Sequence, residues 1–445
     1  MSAGVSKDTI YAPATATGIA GVAVVRVSGP AAGAALTAFC GKLPPPRMAT
    51  RARLIDPTDK APLDDALVLW FPGPASFTGE DVAEFHLHGS RAVMTGMLAA
   101  LARLPGLRMA RPGEFARRAY DAGKLDLAEV EALADLIAAE TREQARQALA
   151  QLGGALGAPI EALRDTAIKL LAQAEAEIDF PDEGDVPGGA IAAMKAPIDA
   201  LAKRIAAILD DGHRGEILRD GFSVAILGPP NAGKSSLLNR LAKREAAIVS
   251  EIAGTTRDTI EVRLDLKGLP VVLWDTAGLR GIDEADPHHA IEREGMRRAR
   301  ERADQADLKL LVLDAREPAP SGELADLARD ALVVLNKADL APAATGLAVS
   351  ALTGTGIEAL ENRLAAIVAE RLGSRDGAAP LVTRARHREA LEEAQAALLR
   401  ARDLEIAELI GEELRACLAA LGRIVGRTGV EDVLDVLFGE FCIGK

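Results

Sequence analysis

Cysteine is scarce in this 445-residue chain: only Cys40, Cys417 and Cys442 occur, with no CxxC pair. That excludes a disulfide framework and a cysteine-rich zinc site, and it fits a reducing, cytoplasmic setting. Aromatic residues are equally sparse, with 9 Phe, 2 Trp and 2 Tyr, too few for a row of base-stacking rings. Positive charge is in deficit: 52 Lys and Arg face 65 Asp and Glu, for a net charge of −13. A global basic field gripping nucleic acid is therefore excluded, while a local basic surface is not. No uninterrupted stretch approaches the ~20 apolar residues of a membrane span. The run Ile19–Val25 is cut short by Arg26, and no signal-peptide apolar region is seen, so no membrane association is expected. What is present is the composition of folded protein, 49% hydrophobic and 26% charged. The length suggests about three domains at roughly 150 residues each.

Charge is uneven along the chain. Residues 1–124 carry 14 basic and 10 acidic side chains, 125–220 carry 9 and 19, 221–375 carry 20 and 23, and 376–445 carry 9 and 13. These breaks coincide with changes of pattern. The first part mixes short β-rich runs (Gly21–Val27, Ala66–Phe71, Val82–Leu87) with Pro/Gly turns, which reads as α+β. From Leu125 to about Ile178 the chain is rich in Ala, Leu and Glu, with apolar residues at helical spacing. Phe180–Gly184 interrupts it, a second helical stretch follows over 191–209, and the texture returns in 386–401, 405–425 and 431–438. The expected fold is multidomain, α/β and α. It comprises an N-terminal α+β domain (1–124), a discontinuous helical domain (125–215 and 376–445) and an inserted Ras-like α/β domain (216–375).

The insert carries the chemistry. The apolar strand Ser223–Leu227 runs into Gly228-Pro229-Pro230-Asn231-Ala232-Gly233-Lys234-Ser235 and then a helix that opens with Ser236. This is the phosphate-loop pattern G-x-x-x-x-G-K-S in its strand–loop–helix context. Glycines let backbone N–H groups wrap a β-phosphate, and the helix N-terminus adds its positive end. Lys234 would neutralise β- and γ-phosphate oxygens, and the Ser235 hydroxyl would coordinate Mg²⁺. Val271–Trp274 ends in Asp275-Thr276-Ala277-Gly278, which can place Asp275 behind Mg²⁺ and Gly278 near the γ-phosphate. Ala331–Leu335 ends in Asn336-Lys337-Ala338-Asp339. An aspartate there accepts from the N1–H and 2-amino edge of guanine, which adenine cannot offer. Leu347–Ser350 leads into Ser350-Ala351-Leu352, where a backbone amide can meet the guanine O6. Order and strand-end placement together point to GTP.

These motifs resemble the TRAFAC-class GTPases. Leu279 follows the D-x-x-G, where Ras-like proteins carry a glutamine that orients the attacking water. Asn231 and the run Ser250–Asp258 are similar to those of the potassium-dependent group. In that group K⁺ sits where an arginine finger would act. The resemblance implies that Asn231, Ser250, Ile252 and Thr255 ligate K⁺ and that Thr256 ligates Mg²⁺.

The flanks resemble one family more closely. Asp8-Thr9-Ile10, Gly21–Gly29, Trp70–Pro74, Ser76–Val82, Arg111–Phe115 and Lys124–Leu127 are similar to the N-terminal domain of the MnmE (TrmE) family. Phe441-Cys442-Ile443-Gly444-Lys445 is similar to that family's ending. The resemblance implies a dimeric tRNA-modification GTPase working with MnmG, an FAD/NADH enzyme. Together they would install an aminomethyl or carboxymethylaminomethyl group at C5 of the wobble uridine of certain tRNAs. It implies a 5-formyl- or methylene-tetrahydrofolate site formed by Arg26, Glu84, Lys124 and Lys445, with the N-terminal domains forming the homodimer. Cys442 becomes a candidate for chemistry beside that site, a packing role being the alternative. Glu292 matches the family's water-positioning glutamate. The segment Gly281–Ala290 is several residues longer than the family pattern, so Glu294 stays open as the alternative. Ser90 stands where a second glycine is common. His86 and His88 lack a third ligand nearby and read as structural. Other readings are a ribosome-assembly GTPase, whose mark would be a KH-like or strongly basic domain, and a regulator that only senses folate.

Overall fold

The computed structural model describes residues 8–16, 18–179, 190–243, 247–248, 261–275, 304–320, 325–326, 328–341, 346–373, 380–428, 431–441 and 444. The chain forms two compact units, one of Met1–Ala134 with Leu421–Lys445, the other of Asp135–Ala420.

The first unit is built on six strands: β1 (Thr9–Pro13), β2 (Ala20–Ser28), β3 (Thr50–Ile55), β4 (Pro62–Phe71), β5 (Val82–Gly89) and β6 (Leu107–Met109). They lie in the order β3-β4-β5-β2-β1-β6. All neighbours are antiparallel except β1 and β6. Side chains alternate across the sheet, and β2 shows what that does. Val25 and Val27 are fully buried with Leu36, Phe39, Phe85, Met97 and Leu101 beneath helices Ala32–Cys40 and Arg91–Ala102. Arg26, between them, points to the other face. Phe39 and Phe85 meet edge to face with ring centroids 5.6 Å apart, a favoured aromatic geometry. On the opposite face Ile10, Ala12 and Ala110 pack against Phe115, in the first turn of helix Glu114–Asp121. The far end of the chain returns here. Leu434, Leu437, Phe438 and Phe441 pack with Ala116, Leu127 and Val130, and the Tyr120 hydroxyl donates to the Gly426 carbonyl.

The second unit combines helices with a seven-stranded sheet. The strands are β7 (Phe222–Leu227), β8 (Ala247–Ile248), β9 (Glu261–Leu266), β10 (Leu269–Asp275), β11 (Leu308–Asp314), β12 (Ala331–Asn336) and β13 (Leu347–Ala348). Their order is β13-β12-β11-β7-β10-β9-β8. Five run parallel, and β9 and β8 close one side as an antiparallel edge. Side chains on both faces are buried, as a parallel sheet requires. Val224 and Ile226 pack with Leu237, Leu241, Leu360 and Leu364 from helices Lys234–Ala242 and Ile357–Leu372. Ala225 and Leu227 pack with Leu311, Leu313 and Leu335 on the other side.

Helices flank this sheet in sequence. Ala190–Leu209, which precedes it, packs against Ala385–Asp403, which follows it. The helical stretch from 125 to 178 is three helices, Leu127–Ala138, Arg142–Leu152 and Gly157–Asp179. The second begins where Thr141 and Gln144 form a capping box and ends at Gly153. Local capping, which apolar spacing does not register, makes the breaks.

Candidate functional site

In the second unit the carboxyl ends of β7, β10, β11 and β12 lie along one edge of the sheet. The chain leaves β7 toward β10 on one side and later fills β11 and β12 on the other. Such a switch of direction opens a crevice at the carboxyl edge, where ligands of open α/β sheets bind. The loop 228–233 occupies that edge. Asn231 has φ 62°, and Gly233, φ 90°, caps helix Lys234–Ala242. A Cβ on Gly233 would collide with the Asn336 amide, so the loop backbone can come this close only as glycine. Ala232 is buried, and Lys234, Ser235 and Ser236 open the helix. The Lys234 ammonium donates to the Gly228 and Pro229 carbonyls at 2.9 and 3.0 Å, folding its stem back over the loop.

The β12 end is tied to this loop. Asn336 is 2% exposed. Its Nδ2 donates to the Ala232 carbonyl at 2.9 Å, while its Oδ1 accepts from the Ala351 N–H at 3.0 Å. One buried amide thus joins the phosphate-loop pattern to the Ser350-Ala351-Leu352 turn. The Ser350 hydroxyl donates to Asp339 Oδ1 at 2.5 Å, which leaves the carboxylate oriented. Arg240, from the helix after the loop, donates to the Thr353 carbonyl at 3.0 Å. Lys337, with φ 65°, reaches across to Asp314 Oδ2 at 2.9 Å.

Asp314 ends β11 in register with Asn336. Its carboxyl is held well below the usual range by hydrogen bonds from Arg316 and then Lys337. Neither Asp314 nor Arg240 stood out in sequence. The available signal for Asp314 was positional: it ends a third parallel strand, as Asp275 and Asn336 end theirs. Asp275 closes β10 beside Ile226 of β7. Ser250, Ile252, Thr255, Thr256, Gly278, Glu292, Glu294, Cys442 and Lys445 lie outside the described residues.

In the first unit, Arg26 and Glu84 are directly paired across β2 and β5. The guanidinium meets Glu84 Oε1 at 2.9 and 3.0 Å. Glu84 Oε2 lies 3.1 Å from His86 Nε2. Phe77 and Phe115 flank the guanidinium, their ring centroids 5.5 and 5.9 Å from it. The Lys124 stem lies over Gly79, in the same turn as Phe77. Gly444 sits against Pro13 and Ala14, where a Cβ would collide with the Pro13 carbonyl. Its neighbour in β1, Ala12, is the strand partner of Arg26. The structure therefore pairs Arg26 with Glu84 and sets Phe77 against the guanidinium, places Lys124 against Gly79 of the 76–81 turn, and brings the tail at Gly444 to the end of β1. His86, Phe77 and Phe115 were not singled out as site residues, and their convergence depends on strand register and on the 76–81 turn.

Beside this face lies a salt-bridge network. Arg118 contacts Asp8, Glu80 and Glu114 at 2.9, 3.0 and 3.2 Å, and Arg108 contacts Asp8 and Glu114. Burial raises the Glu114 carboxyl, but the Arg108 hydrogen bond, the Arg111 N–H, the Arg108 charge and the Arg118 hydrogen bond outweigh it, so the net shift is down. His88 pairs separately with Asp64 at 2.7 Å. Among the described residues no cluster could hold a metal ion, and no helix is long and apolar enough to cross a membrane. Burial pushes the Cys40 and Cys417 thiols up to about 11 and about 12, which leaves them without thiolate character.

A parallel sheet with G-x-x-x-x-G-K-S after its central strand and a buried N-K-x-D asparagine bracing that loop defines a P-loop GTPase. The flanking sequence narrows the class. Residues 9–124 match the GTP-binding protein TrmE N-terminus, and residues 127–442 match the MnmE helical domain. The tRNA modification GTPase MnmE of Parvibaculum lavamentivorans is 57% identical over 448 residues, covering 98% of this chain and 100% of that protein. The protein of the same name from Rhodospirillum rubrum is 55% identical over 460 residues, covering 98% and 99%. Among solved structures, the G domain of the T. maritima FeoB iron transporter matches 34% of this chain and 98% of its own length. It is 23% identical with a TM-score of 0.24, too low to bear on the fold. The chain belongs to the MnmE (TrmE) family.

Proposed function

We propose that this chain is a GTP-hydrolysing tRNA-modification protein. With an MnmG-type partner it would add an aminomethyl or carboxymethylaminomethyl group to C5 of the wobble uridine of certain tRNAs. A tetrahydrofolate, 5-formyl or methylene, would supply the carbon. The observation that carries this reading is end-to-end similarity to proteins named tRNA modification GTPase MnmE, through both flanks and not the G domain alone. The working form is a cytoplasmic homodimer, and the four-part division 1–124, 125–215, 216–375 and 376–445 is proposed with it.

The residues of each site fit their ligands. The loop backbone, Lys234 and the helix start at Ser235 and Ser236 suit phosphates. Asp339, oriented by Ser350, suits the amino edge of guanine. Ser235 and Thr256 would hold Mg²⁺, with Asp275 and Gly278 beside them. Asn231, Ser250, Ile252 and Thr255 would hold K⁺, and Glu292 or Glu294 would orient water. The bound cations would offset charge developing on the transferred phosphoryl group. Arg26, half-buried between two aromatic rings and beside the Glu84 carboxylate, suits a planar, amino-bearing ring. Lys124 and Lys445 would take the folate carboxylates.

Nucleoside analysis of tRNA from a deletion strain tests the reading directly. Wobble uridine left unmodified, and restored by this chain, is the expected result; fully modified tRNA in the deletion strain would overturn it. GTPase rates in KCl against NaCl test the cation. The expected rate is higher in KCl and falls on Asn231→Ala, whereas equal rates in both salts would remove K⁺ from the scheme.

A further inference from the structure

We propose that Asp314 is a positioning residue for the guanine base, acting by pinning Lys337 at the strand edge where that base is read. The proposal rests on the guanine-nucleotide reading above and adds a residue to it.

The geometry is specific. Asp314 is the last residue of β11 and pairs in register with Asn336, the residue before Lys337. Lys337 itself has φ 65°, a backbone region that side-chain-bearing residues rarely adopt. This conformation, at the turn out of β12, accompanies a side chain that reaches the neighbouring strand. There its ammonium meets Asp314 Oδ2 at 2.9 Å, with only 27% of the lysine side chain and 16% of the aspartate exposed. Asp314 is in turn fixed from the other side. Arg316 grips both of its oxygens, at 3.0 and 2.7 Å, and the Arg316 N–H donates to Oδ1 at 3.0 Å. The carboxylate is thus a rigid, ionised post between two cations.

A lysine has four rotatable bonds and loses substantial rotamer entropy when it must be ordered by a ligand. With its ammonium tethered to Asp314, the methylene stem is already held at the carboxyl end of β12, directly after Asn336 and two residues before Asp339. A base settling against that stem does not have to order it. The ion pair therefore raises guanine-nucleotide affinity through pre-organisation, without Asp314 touching the nucleotide.

The test uses the full-length chain and fluorescent GDP and a non-hydrolysable GTP analogue as probes. Asp314→Asn keeps the shape and removes the charge; Lys337→Met keeps the apolar stem and removes the tether. Asp314→Asn is expected to weaken both probes equally, by about fivefold, because base and ribose are common to them. In the Lys337→Met background the same substitution is expected to have less than about a twofold effect, since the interaction it breaks is already gone. Two results would overturn the proposal while leaving the guanine reading intact. One is wild-type affinity in Asp314→Asn; the other is an equal loss in both backgrounds, which marks a merely structural role. A wild-type chain that bound neither probe would overturn the guanine reading and this proposal with it.

Discussion

Asp339 and Glu114 show how single side chains do opposite kinds of work here. Asp339 is kept as an oriented acceptor by the Ser350 hydroxyl. Replacing it with asparagine puts a donor where guanine also donates. Asp339→Asn is expected to lower GTP affinity by about two orders of magnitude or more, because a polar edge is left facing its like. Xanthosine triphosphate, which carries an oxygen in place of the 2-amino group, should gain in the same variant; competition against fluorescent GDP reads both. Glu114 instead holds the first unit together through Arg108 and Arg118. Its folded-state carboxyl lies below the ordinary 4.5. The stabilisation it provides is therefore complete above that value and is lost as pH falls through the lower, folded one. Urea denaturation should show Glu114→Gln clearly less stable than wild type at pH 7, with the gap closing at acid pH. A gap that widened on acidification would contradict the ion-pair role.

At the level of elements, helix Arg142–Leu152 has a function its composition concealed. Gln144, Gln147 and Gln151 recur at spacings of three and four, on one helical face, and all are buried. Gln144 donates to the Arg219 carbonyl at 2.9 Å and Gln147 to Gly215 at 3.1 Å. Gln151 donates to Pro380 and Leu381 at 3.2 and 2.9 Å. These carbonyls belong to the segments that lead into and out of the seven-stranded sheet. Arg388 reinforces the junction, reaching the Leu209 carbonyl, Asp211 and Glu216. Gln147→Leu would strand a buried carbonyl and is expected to cost about 1–3 kcal/mol of stability, measured by denaturant unfolding; a loss under about 0.5 kcal/mol would show that water replaces the bond. Polar residues on a helix read as solvent-facing in sequence. Their burial here depends on backbone carbonyls supplied from 68 to 230 residues away.

For the whole molecule, the net charge of −13 conceals a mildly basic first 124 residues joined to an acidic helical stretch. Counterion release rewards clustered cations, and few are concentrated here. The chain alone is expected to bind tRNA modestly, with a shallow dependence on salt, and more tightly once the proposed MnmG-type partner is added. Nanomolar binding by the chain alone with a steep salt slope would contradict this, and filter binding across a salt series decides it.

Some of this was settled by sequence. The strand before Gly228, the helix after Lys234, the strand ends at Asp275 and Asn336, and the β-rich character of the first unit are local. Each follows from apolar periodicity, glycine placement and side-chain chemistry within about ten residues, so the pattern carries them unaided. Arg26 and Glu84 could be named by resemblance, but nothing in their spacing shows that they pair. Tertiary structure decided the rest. It put Glu84 between Arg26 and His86, set Phe77 and Phe115 against the guanidinium, brought Gly444 back to Pro13, and joined Asp314 to Lys337. Apart from the Glu84–His86 pair, these are contacts between residues well separated in the chain. They arise from strand register and from the packing of buried faces, and a linear pattern holds no record of either until the chain has closed on itself.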